Sequence, residues 1–153
     1  MQHSSRRLGN EEGGTAVEAA LIISTLLLLV FGAIEFGRAF WTYNTMVLAV
    51  EEAGRYVMVY NQGPPTSCGA QTQAASCPTL SSNALANCAA AQAQSVLSAY
   101  GAPTAVAVSV SHNAGATPPT MTICGSYTFS FITPTLLPYG SIGLTTQLTV
   151  PVI

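Results

Sequence analysis

An uncharged apolar run near the N-terminus constrains this chain more than any other feature. The run extends from Ala19 to Ile34 (AALIISTLLLLVFGAI) and contains no Asp, Glu, Lys or Arg. As an α-helix the run would be about 24 Å long, which is shorter than the helix of about 20 residues that crosses a bilayer. We therefore predict a transmembrane part at about residues 16–36. A cleaved secretory signal peptide is the alternative, but residues 31–35 (FGAIE) are a poor cleavage site.

The charged residues are confined to the N-terminal third of the chain. Residues 56–153 contain no Asp, Glu, Lys or Arg, and the whole chain has no Lys. Binding to nucleic acid requires clustered Lys and Arg, so nucleic acid is excluded as a partner of this region. Arg6 and Arg7 precede the apolar run, which favours a cytoplasmic N-terminus. We expect a single-pass protein of the inner (cytoplasmic) membrane, in contact with membrane lipid, whose C-terminal domain lies outside the cytoplasm.

The helix is predicted to continue beyond the membrane, from about Thr15 to Tyr60. Gly63 and Pro64 end it, because neither residue favours helix continuation. Its second half carries a stripe of residues at steps of three and four, which is typical of one helix face. The stripe consists of Phe36, Phe40, Tyr43, Val47, Val50, Gly54 and Val57, whereas Arg38, Thr42, Thr45, Glu52 and Arg55 fall largely elsewhere. We expect the stripe to pack against the C-terminal domain.

The C-terminal domain is predicted to contain one more helix and a sheet. Residues 61–80 form a loop, and a helix follows from Ser82 to Tyr100, capped by Ser81 or Ser82 and closed by Gly101 and Pro103. The spacing predicts that one face of this helix consists of Leu85, Ala89, Gln92, Val96 and Tyr100, with Cys88 beside it. Three alternating runs, 106–110, 121–131 and 142–152, predict an antiparallel meander, with a break at 113–119 and a connecting loop at 133–141. The expected fold class is α+β.

Four cysteines, Cys68, Cys77, Cys88 and Cys124, all lie in the C-terminal domain. An even number of cysteines in an exported domain favours two disulfides. Zinc binding is the alternative, but the spacing contains no close C-x-x-C pair and His112 is isolated. We therefore expect neither a metal nor another cofactor. Of the three possible pairings we favour Cys68–Cys77, which closes a loop, and Cys88–Cys124, which joins a helix to a strand.

Glu18 lies one turn inside the predicted membrane helix, directly after the residues Gly13, Gly14 and 15–17. A carboxylate in this position is costly to bury and should have a partner. The alternative is that Glu18 lies at the level of the lipid headgroups and is hydrated.

Residues 13–40 (GGTAVEAALIISTLLLLVFGAIEFGRAF) resemble the start of type IV pilins, and most closely that of the TadE-like pseudopilins of tight-adherence pili. Residues 34–38 (IEFGR) and 53–56 (AGRY) also fit the TadE-like pattern. In such proteins a prepilin peptidase cleaves after a glycine, and a glutamate is the fifth residue of the mature chain. The resemblance implies cleavage between Gly13 and Gly14, a leader at 1–13, a helix at 14–60 and an exported domain at 61–153. Two departures are Ala19, where the family often has Phe, and Ser24, where it often has Pro.

The resemblance implies a pilin-like fold and a non-enzymatic minor pilin or pseudopilin that takes part in pilus assembly, adhesion or secretion. Its partners would be the prepilin peptidase, other pilin subunits and the inner-membrane assembly platform. Glu18 would pair with the α-amine of Gly14 on a neighbouring subunit. The protein would then be found in the pilus outside the cell as well as in the inner membrane. The alternative is an exported, membrane-tethered binding or adhesin module outside any filament. An enzyme is the third hypothesis, but acid–base chemistry in the C-terminal domain would rest on His112 alone.

Overall fold

The computed structural model describes residues 11–61, 63–64, 67–132 and 140–152. Its elements in chain order are α1 (Glu11–Val59), α2 (Ala84–Ala99), β1 (Ala107–Asn113), β2 (Thr120–Ser130) and β3 (Ser141–Pro151). The strands form one antiparallel sheet in the order β1-β2-β3. The predicted α+β class, with a long N-terminal helix, a second helix and a meander, is confirmed. The first ten residues of the predicted leader and residues 133–139 of the predicted connecting loop lie outside the described residues.

The chain divides into two compact units, Met1–Gly37 and Arg38–Ile153. The described part of the first unit is the N-terminal half of α1, in which residues 13–34 are exposed. The second unit, which we call the head, contains the rest of α1 together with α2 and the sheet. The hydrophobic core lies in the head and is formed by residues of α1, α2 and all three strands.

Helix α1 begins at Glu11 and ends at Val59, so it starts earlier than the predicted Thr15. Gly13 and Gly14 therefore lie inside the helix. A glycine in a helix interior costs only about 1 kcal/mol relative to alanine, which a helix of this length can absorb.

The buried face of α1 differs from the predicted stripe. Val50 and Val57 are buried as expected, but Phe36 and Phe40 are 72% and 57% exposed. Thr42 and Thr45, which were predicted to fall elsewhere, are buried in the head instead. Their hydroxyls donate to the carbonyl oxygens of Arg38 and Trp41 at 2.9 Å. Because these bonds satisfy the hydroxyls within the helix, threonine can occupy a buried helix face without a partner from another element.

Helix α2 is shorter than predicted and has a different N-cap. Neither Ser81 nor Ser82 caps it; the side-chain oxygen of Asn83 accepts from the Ala86 amide at 2.7 Å. At the other end the Gly101 amide donates to Ser98 and the Ala102 amide to Leu97. Gly101 has a φ of +66°, the left-handed conformation that this pair of bonds requires.

The buried face of α2 is also rotated from the prediction. Leu85 and Ala89 are buried as expected, whereas Tyr100 is 58% exposed. Gln92 and Val96 are half-buried. The remaining buried residues of the helix are Ala86, Cys88, Ala90, Ala93 and Leu97. Small alanines on this face allow the helix to pack closely along β1.

The disulfide pairing that we favoured from the sequence is wrong. The structure pairs Cys68 with Cys88 and Cys77 with Cys124. The first disulfide joins the segment after α1 to α2, and the second joins the same segment to the central strand β2. Both bonds therefore hold residues 68–77 against the rest of the head, and neither closes a local loop.

Gln71 explains the path of this segment. Its amide nitrogen donates to the carbonyl oxygens of Ser81 and Val110, at 2.6 and 3.0 Å, and its amide oxygen accepts from the Val110 amide at 2.6 Å. Ser81 adds a bond from its own amide to Val110 and accepts from the His112 amide at 2.6 Å. These hydrogen bonds pair backbone N–H and C=O groups on the outer edge of β1. Without them these groups of the edge strand would be unpaired.

Candidate functional site

Gly13, Gly14 and Glu18 lie on the first turns of α1, on one continuous exposed segment. A Cβ atom placed on either glycine would meet nothing within 4 Å. Glu18 is exposed as well. The helix thus presents the three predicted site residues to the surroundings, where another protein can reach them.

The apolar run that follows has no covering surface in the described structure. Leu21 and Leu29 are 65% and 64% exposed, and the most apolar window of α1 is buried nowhere within the chain. Within the described residues, α1 is one helix whose length and composition would allow it to cross a membrane. A large exposed apolar surface indicates contact with lipid or with another apolar surface.

Two polar residues interrupt the run without breaking this pattern. The hydroxyls of Ser24 and Thr25 both donate to the carbonyl oxygen of Leu21, each at 2.9 Å. Polar groups in a bilayer core must be satisfied within the protein, and these bonds satisfy both hydroxyls inside the helix. The run is therefore compatible with a hydrocarbon environment along its whole length.

The head has few groups that could perform chemistry. All four cysteines are in disulfides, and the described residues contain no group of three His, Cys, Asp or Glu side chains that could bind a metal ion. His112 lies near the end of β1 with an exposed side chain. It is therefore a strand residue.

A cavity of about 590 Å³ opens between α2, residues 69–72 and the start of β1. Asn87, Gln94, Ser95 and Thr104 contribute amides and hydroxyls to its walls, and none of the lining residues is charged. Two hydroxyls that line it donate within α2: Ser95 to Gln92 and Ser98 to Ser95. The cavity therefore provides neutral hydrogen-bonding groups and no acid or base.

The N-terminal region is similar to a known family. Residues 13–61 match the family described as TadE-like protein, and the resemblance predicted from the sequence is confirmed. The TadE-like family is a family of pilus components, so the match associates this part of the chain with the tight-adherence pilus. It includes Gly13, Gly14, Glu18 and the whole exposed apolar run, and it ends just after α1. No curated protein and no solved structure matches the chain.

Proposed function

We propose that this chain is a minor pilin or pseudopilin subunit of a tight-adherence pilus. It would be inserted in the inner membrane with its N-terminus in the cytoplasm and its head outside, before it enters a filament. One observation carries the proposal: the region that matches the TadE-like family contains Gly13, Gly14 and Glu18 directly before an apolar helix that is exposed on all sides. An apolar helix of this kind can be covered first by lipid and later by the helices of other subunits.

Cleavage by a prepilin peptidase would occur at the Gly13–Gly14 peptide bond. Hydrolysis adds water across this bond and leaves a carboxylate on Gly13 and an ammonium group on Gly14. Because proteases bind extended substrates, the first turn of α1 would have to unwind. Each glycine lowers the stability of a helix by about 1 kcal/mol relative to alanine, so unwinding costs least at this point. A Cβ atom on either glycine would meet nothing within 4 Å, so no described side chain crowds this peptide bond.

Assembly would use the new charge. The ammonium group of Gly14 on one subunit would pair with the Glu18 carboxylate of a neighbour as both leave the bilayer headgroups for the filament core. Removing either partner alone would leave an uncompensated buried charge, which typically costs about 3–5 kcal/mol. The pair would therefore fix the axial register between subunits.

The direct test is to co-express the full chain with a prepilin peptidase and to determine the N-terminus and intact mass of the product. We expect a chain that begins at Gly14. An inactive peptidase and a Gly13→Phe variant serve as controls, and both should leave the chain intact. A chain that still begins at Met1 with the active peptidase, or that begins beyond Ile34, would contradict the proposal.

The alternative function is a membrane-tethered exported binding module, for which the neutral cavity of the head provides a candidate site. Fractionation distinguishes the two functions after the N-terminus is known. A subunit should be recovered in sheared pili, whereas a tethered module should remain in the membrane fraction.

A further inference from the structure

The two outer strands of the sheet differ in whether their outer edge is occupied. On β1, Gln71 bonds to the backbone N–H and C=O of Val110, and the hydroxyl of Ser81 accepts from the His112 N–H. In the part of the chain that the structure describes, the backbone of β3 bonds to β2 alone. The sheet thus has one closed edge and one open edge.

The register of the sheet identifies the open groups on β3. In an antiparallel pair, opposite residues alternate between bonding to each other and pointing their backbone groups away. Val110 bonds to Gln71 and so points away from β2, and its opposite residue Ile123 therefore bonds to β3. Ile123 lies opposite Leu148, so Leu148 and every second residue of β3 bond to β2. The outward N–H and C=O groups belong to the exposed residues Gly143, Thr145, Gln147 and Thr149.

The outer edge of β3 lacks the features that protect edge strands. Such edges are usually blocked by charged side chains, by proline or by a bulge. Strand β3 contains no charged residue, and its single proline, Pro151, is its last residue. It pairs with β2 at every position without a bulge. A strand from another molecule can therefore pair along this edge.

We propose that the outer edge of β3 binds an extended, uncharged segment of a partner protein, which adds a fourth strand to the sheet. Four outward pairs of N–H and C=O groups repeat about every 6.8 Å along the edge. An extended polypeptide backbone presents groups at the same spacing, which is the basis of recognition by strand addition. A charged segment would find no opposite charge, because residues 56–153 contain no Asp, Glu, Lys or Arg.

The side chains of β3 define the sequence of the partner. On the face that packs against α1, Ile142 is 37% exposed, and Leu144 and Leu148 are only partly buried. On the opposite face the side chains are small or neutral and exposed. Cross-strand neighbours interact on each face, so the partner segment should alternate apolar residues with small polar residues.

A second copy of this chain does not fit the open edge within a filament. Gln71 and Ser81 occupy the β1 edge, so β3 cannot pair with β1 of the next copy. Two β3 edges would pair through a twofold, isologous contact, whereas filaments grow through heterologous contacts. The partner is therefore a different chain. This choice of partner rests on the proposed function.

A synthetic peptide with the sequence of residues 141–151 (SIGLTTQLTVP) is the probe, because it has the required alternation. Its ends are acetylated and amidated to remove their charges. Hydrogen exchange of single amides is measured for the full chain in detergent micelles. We expect the outward amides of Thr145 and Gln147 to exchange rapidly in the free chain. They should exchange about tenfold more slowly at a peptide concentration ten times its Kd. The inward amides of Leu144 and Leu148 should not change, and a peptide of the same composition with adjacent apolar residues should have no effect.

Two variants test the backbone of the edge directly. Gln147→Pro removes an outward N–H that takes no part in the pairing with β2, so it should preserve the sheet and abolish peptide binding. Gln147→Ala retains this N–H and should bind as the wild type does. Thr145→Lys places a charge on the edge and should also weaken binding, which keeps the test valid if the proline variant does not fold.

Three outcomes would overturn the inference. The first is exchange at Thr145 and Gln147 that excess peptide does not slow. The second is slow exchange in the free chain at every concentration, which would show that the chain covers its own edge. The third is protection that rises with the concentration of the chain alone, which would assign the edge to a second copy. None of these results depends on cleavage at the Gly13–Gly14 bond, so failure here is distinct from failure of the proposed function.

Discussion

Gly125 of β2 lies directly against Met46 of α1. A Cβ atom at Gly125 would come within 2.7 Å of Met46 Cγ and 3.2 Å of its Sδ, closer than ordinary van der Waals contact. The same occurs where α1 passes β3, since a Cβ at Gly54 would lie 2.6 Å from Leu148 Cδ2. The helix thus approaches the sheet closely at two glycines, Gly125 on β2 and Gly54 on α1. This close approach determines how tightly the helix that carries the candidate site is held in the head.

Replacing Gly125 with alanine should destabilise the head. Met46 is fully buried and cannot move into solvent, so the new methyl group would force side-chain or backbone shifts. Overpacking of this kind typically costs about 1–3 kcal/mol. Thermal unfolding of the full chain in detergent should show a lower Tm for Gly125→Ala. The matched control is Gly143→Ala in β3, where an added Cβ meets nothing within 4 Å. Equal Tm changes in the two variants would contradict the close contact.

Gln71→Ala should open the outer edge of β1. The substitution removes the donor to the Val110 carbonyl oxygen and the acceptor of the Val110 backbone N–H. The Val110 N–H is then left without an acceptor. An unsatisfied buried donor costs about 1–3 kcal/mol. Hydrogen exchange resolved to single amides should therefore show a large loss of protection at Val110, by about 5–150-fold if the whole cost appears as local opening.

Two further variants test whether the amide geometry of Gln71 is responsible. Gln71→Glu retains an acceptor but cannot donate to Ser81 and Val110, and it adds a charge to a region that has none. It should also destabilise the edge. Gln94→Ala changes an exposed glutamine on α2 and should leave Val110 protection unaltered. Protection of Val110 that survives Gln71→Ala would show that Ser81 alone closes this edge.

Peptide mapping without reduction should recover Cys68–Cys88 and Cys77–Cys124. Trypsin is unsuitable because no Lys or Arg follows Arg55, so pepsin or chymotrypsin is required. Residues 69–76 (GAQTQAAS) contain no aromatic or leucine site, so Cys68 and Cys77 should remain in one peptide. That peptide should be linked to two others, those with Cys88 and Cys124. A peptide closed on itself by Cys68–Cys77 would contradict the structure, and fragmentation between residues 69 and 76 excludes the third pairing.

The two disulfides should also differ in their contribution to stability. Cys77–Cys124 spans 47 residues and Cys68–Cys88 spans 20. On the chain-entropy model the longer loop gives about 0.8 kcal/mol more stabilisation. A Cys77→Ala, Cys124→Ala double variant should therefore unfold at a lower temperature than the Cys68→Ala, Cys88→Ala variant. The reverse order would show that native contacts of the segment outweigh loop entropy.

Much of this fold could be predicted from periodicity. The long helix, the second helix and the three strands each carry a pattern of apolar residues that extends over many positions, and all were found. The predicted helix faces were less accurate, because a buried Thr42 or Thr45 satisfies its own hydroxyl and leaves no polar signal. Disulfide pairing depends on the path of residues 68–77, which Gln71 fixes through bonds to residues far along the chain. No local pattern contains that information.

The prediction of the candidate site came from a different kind of evidence. Spacing alone indicated only that Glu18 is unusual in an apolar helix, whereas the roles of Gly13 and Gly14 came from the resemblance to TadE-like proteins. The family match supports the resemblance over residues 13–61. The second half of α1 illustrates the opposite case. The sequence assigned Phe40 and Tyr43 to a core stripe, and their exposure became visible only with the helix rotation in the structure.

Glu18→Gln should leave cleavage at Gly13–Gly14 intact and should reduce recovery in pili. The substitution retains the size of the side chain and removes the charge that would pair with the Gly14 ammonium group of a neighbour. An unpaired charge in the filament core costs about 3–5 kcal/mol, which corresponds to a loss of more than 100-fold in an assembly equilibrium. The measurement is the ratio of protein in sheared pili to protein in membranes, by quantitative blotting.

The matched control for this last substitution is Glu51→Gln, which removes an exposed carboxylate from the same helix where it passes through the head. Glu51 lies outside the apolar run, so its loss should leave recovery in pili within a factor of about two, as expected for a solvated surface charge. Wild-type recovery of Glu18→Gln would show that Glu18 is only a hydrated headgroup-level residue. An equal fall in both variants would indicate a general effect of lost negative charge, and the register function of Glu18 would then be wrong.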